Sequence, residues 1–133
     1  MRLSKNFILS EFTQSDTAAQ NGIANIPGKE EIKAIENLVV NLLQPIREIY
    51  NKPMRINSGF RCPELNKAVG GVSTSQHVKG EAADVACDNP QKLKDIIVNS
   101  GIDYDQIGIY SGFLHISLKL SGANRKNIFK GKY

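Results

Sequence analysis

The sequence predicts an α+β fold: a small, mostly antiparallel sheet with flanking helices. Three observations carry this prediction. Apolar residues recur at helical spacing from Lys29 to Tyr50. Short segments rich in alternating or β-branched residues, bounded by Gly, Pro and Asn, fill the second half of the chain. The pair Ser111-Gly112 joins two of those segments as a hairpin.

Taken in order, the first 25 residues are polar, apart from the pattern Leu9-Ser10-Glu11-Phe12, where Ser10 is expected to cap a short helical turn. Pro27-Gly28 marks a turn. The stripe Ile32, Ile35, Leu38, Val39, Leu42, Leu43, Ile46 and Ile49 makes Lys29 to Tyr50 a core-facing helix, which Pro45 is expected to kink or split. Met54 to Ser58 alternates as a strand. Pro63 opens a short helix to Val69, stopped by Gly70-Gly71. Val72 to Gly80 reads as a loop and Glu81 to Cys87 as a strand. Asn89 caps a helix from Pro90 to Ser100, ended by Gly101. Gln106 to Tyr110 and Phe113 to Leu120 form the hairpin, with Tyr110 opposite Phe113 and Gly108 opposite His115.

At 133 residues the chain is expected to form one domain, residues 1–133, and to be a monomer. A chain of this length buries roughly two thirds of the surface its unfolded form exposes. It needs no disulfide framework, and Cys62 and Cys87 are expected to be free thiols that bind no metal. No apolar run approaches the ~20 residues of a membrane span, so no membrane insertion is expected. The stretch Met1 to Ser10 reads as no secretory signal, which implies synthesis in the cytoplasm and action elsewhere only after release. The net charge of +4 favours an anionic partner, but the basic residues are scattered. Their one cluster, Arg125, Lys126, Lys130 and Lys132, reads as a solvated, frayed end, so nucleic acid is not the expected partner.

The chemistry concentrates on the only two histidines, His77 and His115. His77 precedes Asp84 by seven positions, with Gly80 between them to let the loop turn. His115 shares a strand face with Phe113 and Ser117, while Leu114 and Ile116 point into the core. Two imidazoles and one carboxylate are three zinc ligands that leave a fourth place open for water.

The pattern Ser75-x-His77-x-x-Gly80-x-Ala82-x-Asp84, followed by Phe113-Leu114-His115-Ile116-Ser117, resembles the M15 metallopeptidases. These include zinc D-alanyl-D-alanine carboxypeptidases and phage endolysins that cut peptidoglycan stem peptides. Leu43-Gln44-Pro45-Ile46-Arg47, Ile56-Asn57-Ser58-Gly59-Phe60-Arg61 and Tyr104-Asp105-Gln106-Ile107 extend the likeness over nearly the whole chain. The resemblance implies a Hedgehog/DD-peptidase-like fold, one Zn2+ per chain on His77, Asp84 and His115, and a peptidoglycan stem peptide as substrate. It makes Arg61 the arginine that clamps a substrate carboxylate or stabilises an oxyanion, has Ser75 order the loop, offers Gln76 as a substrate contact, and leaves Ser117 to support His115, to line the cleft as a substrate contact, or simply to pack.

The sequence departs from that family at the catalytic base. Gly112, Tyr110 and Phe113 occupy the places where relatives carry an acid or a second histidine, and no acid lies between Gln106 and His115. Three readings stay open: Tyr110 donates a proton or hydrogen bond, a carboxylate such as Glu81 or Asp105 enters the site, or the protein binds zinc and wall peptide without cutting.

Overall fold

A computed structural model of the chain describes residues 1–131. After a 3-10 turn at Leu9–Phe12, the elements are α1 (Asp16–Gln20), α2 (Lys29–Leu38), a π-helical turn (Val39–Leu43), α3 (Gln44–Tyr50), β1 (Arg55–Ser58), α4 (Pro63–Ala68), α5 (Gln76–Lys79), β2 (Ala82–Ala86), α6 (Pro90–Ser100), β3 (Gln106–Ile109), β4 (Phe113–Ser117) and β5 (Asn127–Lys130). The strands form one sheet in the order β1-β2-β4-β3-β5. Its pairings are antiparallel except β3 with β5, which run parallel.

The helical stripe does what its spacing demands. Leu38, Val39, Leu42, Leu43 and Ile46 are completely buried, and they share a core with Ala83, Val85, Ile107, Leu114 and Ile116 from one face of the sheet. α6 adds Leu93 and Ile97 to that core and packs on β3, β4 and α3. Pro45 does not end the helix. The turn before it widens, the Gln44 N–H reaching back to the Val39 carbonyl, which accommodates a residue with no N–H of its own. Gln44 also pins the N-terminal segment. Its Oε1 accepts from Ser4 Oγ at 2.6 Å and Asn6 N at 2.9 Å, and its Nε2 donates to Asn6 Oδ1 at 2.8 Å.

Four expectations need correction. Ser10 does not cap the first turn: Glu11 Oε1 accepts the Ile8 N–H at 2.9 Å instead, the longer side chain reaching back where a serine hydroxyl need not. The polar N-terminal stretch also holds α1, with the Ser15 hydroxyl capping it through the Ala18 N–H at 3.2 Å. Val72 to Gly80 is not all loop, because Ser75 caps the one-turn α5. The basic C-terminal segment is not frayed either: residues 127–130 add β5 to the sheet edge, and Arg125 is bound to the buried Asp105. Of the cluster read there, Lys132 lies outside the described residues.

Among the described residues no helix is long and apolar enough to cross a membrane. Cys62 and Cys87 are both free and half-buried.

Candidate metal centre

The sheet face turned away from the helical core carries the site. Along β2 the side chains alternate, so Ala83 and Val85 enter the core while Asp84 faces the other way. β4 alternates in step, with Leu114 and Ile116 buried and His115 outward. The antiparallel register sets Asp84 directly opposite His115, and cross-strand partners are close enough for their side chains to touch. His115 Nδ1 lies 2.9 Å from Asp84 Oδ1.

His77 arrives from α5. Gly80, which follows that turn, has φ +77°, and a Cβ there would come within 2.5 Å of the Glu31 carbonyl oxygen on α2. Only glycine meets both demands, so the turn carrying His77 can press against α2 and feed straight into β2. The His77 ring is buried, with Nδ1 2.7 Å from the Gly59 carbonyl and Nε2 3.5 Å from Asp84 Oδ1. A carbonyl can only accept, so Nδ1 carries the proton and Nε2 presents its lone pair to the site.

The ligand atoms of His77, Asp84 and His115 all lie within 4.8 Å of one another. Tetrahedral zinc with bonds of ~2.0–2.2 Å sets its ligand atoms about 3.4 Å apart, close to the His77–Asp84 separation. Donor chemistry, spacing and the fixed His77 tautomer therefore fit a zinc ion. Burial pushes the Asp84 carboxyl up, but the hydrogen bond from His115 and the adjoining His77 ring outweigh it and hold the group below the usual carboxylate range. The carboxylate is thus kept in its ligating form.

Arg61 stands beside this cluster. Its backbone N–H donates to the His77 carbonyl at 3.1 Å, and its guanidinium NH2 donates to Ser75 Oγ at 3.3 Å. The same Ser75 hydroxyl accepts the His77 N–H at 3.2 Å, which ties the arginine to the ligand loop. Arg61 Nε is buried without a hydrogen-bond partner. Burial holds the guanidinium below its ordinary value, and the charge of Asp84 offsets only part of that. Beyond Arg61 opens a cleft of about 300 Å³, bordered by Gln14, Asp16, Asn57 and Leu65. Asn25 holds this wall in place. Its Nδ2 donates to the Thr13 and Phe60 carbonyls at 2.9 Å each, and its Oδ1 accepts the Cys62 N–H at 2.8 Å.

The remaining candidates separate. Tyr110 stacks on Phe113, ring centroids 4.5 Å apart, and so lies on the His115 face. Ser117 is completely buried and accepts the Gln106 N–H at 3.0 Å, so it fastens β3 to β4 and is not presented to a substrate. Gln76 donates to Glu81 Oε1 and accepts from Arg125, both at 3.2 Å, so its amide is engaged within the protein. Neither carboxylate considered as a base enters the site. Glu81 is held by Gln76 and the Leu120 N–H. Asp105 has no accessible surface and is paired with Arg125 at 2.6 Å.

Two features had no legible signal. Asn25 lies in a polar stretch where any of several amides could have served. Phe129 lies in a basic tail whose strand is only four residues long. Its ring centroid is 6.3 Å from that of His115 and 6.3 Å from that of Tyr110.

Fold and cluster together bring three possible metal ligands to one face of the sheet. The family model described as Peptidase M15 matches residues 5–117, and the chain belongs to that peptidase family. Its members are typically zinc-dependent metallopeptidases, in keeping with the His-Asp-His cluster. No curated protein matches the chain.

Proposed function

We propose that this chain is a zinc-dependent peptidase that hydrolyses an amide bond in peptidoglycan stem peptides, acting as a single-domain monomer at the cell wall. The observation that carries the reading is the convergence of His77, Asp84 and His115 with the half-buried Arg61 beside them. Zinc held there would polarise the scissile carbonyl and lower the pKa of a bound water toward ~7. Asp84 and the two imidazoles hold their ligating forms and positions through the Gly59 carbonyl and the β2–β4 register. Arg61 binds a substrate carboxylate through paired charge-assisted hydrogen bonds, which orients the peptide over the sheet. Tyr110 donates its phenol hydrogen to the oxygen on which negative charge develops.

A second reading is favoured by one specific observation: Glu81 and Asp105 are both engaged away from the cluster. A zinc-holding module that binds wall peptide without cutting it has that composition. Digestion of purified peptidoglycan, with mass analysis of the released stem peptides, separates the two. New amino groups released by the native protein and not by His115→Ala support the enzyme. Full zinc content with no release from any wall substrate supports the binding module.

A further inference from the structure

We propose that Asp16 determines specificity in the cleft beside Arg61: it takes an ammonium-bearing side chain of the peptide whose carboxylate Arg61 holds. The inference rests on the peptidase reading above and adds to it the side-chain chemistry of the substrate. The observation behind it is a single cleft that carries opposite charges on two of its walls, with no ion pair between them.

The N-terminal segment builds the wall that carries Asp16. A Cβ at Gly59 would come within 2.7 Å of Phe12 Cα and of the Phe12 carbonyl oxygen, so the chain after β1 lies directly on the segment before α1. The Phe60 N–H donates to that same carbonyl at 2.7 Å. Asn25 fastens the segment at its other end by bridging the Thr13 and Phe60 carbonyls. Ser15 caps α1, and α1 packs on α4, which fixes Asp16 as the first helical residue at the border of the cleft. Gln14 to Thr17 thus form one wall and Ser58 to Arg61 another.

The cleft adjoins the metal ligands. Ser58, on its border, is the register partner of Asp84, and the Gly59 carbonyl accepts from His77 Nδ1. Arg61 brings a buried Nε without a hydrogen-bond partner. Asp16 is exposed, and its carboxylate makes no hydrogen bond or ion pair among the described residues. The charge that acts on Arg61 from within the protein is that of Asp84, which leaves the charge of Asp16 to a ligand. A ligand that brings only a carboxylate meets a like charge at Asp16. One that also brings an ammonium group meets a complementary charge on both walls. A second cleft of about 630 Å³ continues past Asp16 along α1 and shares Gln14, Ser15, Asp16 and Asn57 with the first. It also presents Ala19 and Ile23. A long aliphatic stem can lie against these while its charged head stays in contact with water, which suits a lysine-like side chain.

The test uses the zinc-loaded full chain and N-acetylated tripeptides with a free C-terminal carboxylate, in which lysine, acetyl-lysine or norleucine precedes a pair of alanines. Each is made with L- and with D-alanine, and the tighter-binding series is used. Binding is read by calorimetry and cleavage by amine release. The native protein is expected to bind the lysine peptide about fivefold more tightly than either neutral peptide, the upper end for a partly exposed charge pair. Raising the salt to about 0.5 M is expected to bring that preference below about twofold. Asp16→Asn is expected to weaken the lysine peptide about fivefold and the neutral peptides by less than about twofold. Asp16→Glu, which keeps the charge, is expected to retain a preference of about threefold. A native preference below about twofold at low salt, or an equal loss on all the peptides in Asp16→Asn, overturns the proposal. So does a native protein that binds none of them. Cleavage of all the peptides with equal affinity and rate removes the role of Asp16 and leaves the peptidase reading standing. A lysine preference in binding that Asp16→Asn abolishes, with no peptide cleaved, upholds the role of Asp16 and sinks the peptidase reading.

Discussion

The centre of the sheet, β2 and β4, and its C-terminal edge, β3 with β5, hold their functional side chains by different forces. At the centre, Asp84 and His115 are placed by the core beneath them: Val85, Leu114 and Ile116 are fully buried, and their packing fixes which face the ligands take. At the edge, β5 exposes most of its residues and is fastened by polar contacts, chiefly Arg125 on Asp105. Apolar burial is non-directional and strong, so it fixes a strand's facing whatever the neighbouring sequence. An ion pair is local and depends on pH. The candidate ligands Asp84 and His115 therefore sit on strands fixed by the core, and Phe129 sits on a strand held mainly by polar contacts.

The largest effect should come from loosening the centre. Leu114→Ala removes a completely buried side chain from the strand that carries His115. It is expected to cost ~2–5 kcal/mol of unfolding free energy, measured by urea denaturation of the zinc-loaded protein. A cost below ~1 kcal/mol would mean that the core does not position the ligand strand.

Next comes Tyr110→Phe, on the border between the two regions. The ring stacking on Phe113 survives this change, so fold and zinc content should be retained. Peptidoglycan hydrolysis is expected to fall ~10²-fold, a typical loss for one oxyanion donor. Full activity would show that the phenol does no chemistry.

At the edge the effect is smaller and depends on pH. Burial pushes the Asp105 carboxyl up, but the Arg125 hydrogen bonds and charge outweigh that and hold it below its ordinary value. Its contribution to stability is therefore complete above the unfolded carboxylate value near ~3.9 and is lost as pH falls through the lower folded value. Asp105→Asn should remove about 1–3 kcal/mol at neutral pH and make the decline in stability below pH ~4 shallower than in the native protein. An acid limb of unchanged steepness would show that the pair does not hold the edge.

The same contrast explains what could be read from the amino acids. The centre was legible because burial leaves a period: the helical stripe and the alternation around His115 mark the core face, and with it the outward side of His115. Gly80 was legible because a glycine between two ligands has a local reason. The turn at Gln76–Lys79 was missed because one turn of helix shows no period. β5 was missed because an exposed edge strand of four residues buries too little to pattern its sequence. Arg125 looked like one more solvated charge, since nothing in the sequence reveals that its partner, Asp105, has no accessible surface. For Ser117 the alternation with His115 leaves cleft and packing open, and its burial with the Gln106 N–H bound to its hydroxyl decides for packing.

The central claim is that His77, Asp84 and His115 form one zinc site. Elemental analysis of protein purified without chelator, followed by zinc titration, tests it most directly. The structure predicts one equivalent of zinc per chain in the native protein, and in His115→Ala an affinity lower by well over ~10²-fold, beyond what loss of an outer-shell contact produces. Less than about a fifth of an equivalent in the native protein, with no uptake on adding zinc, or unchanged affinity in His115→Ala, would contradict it.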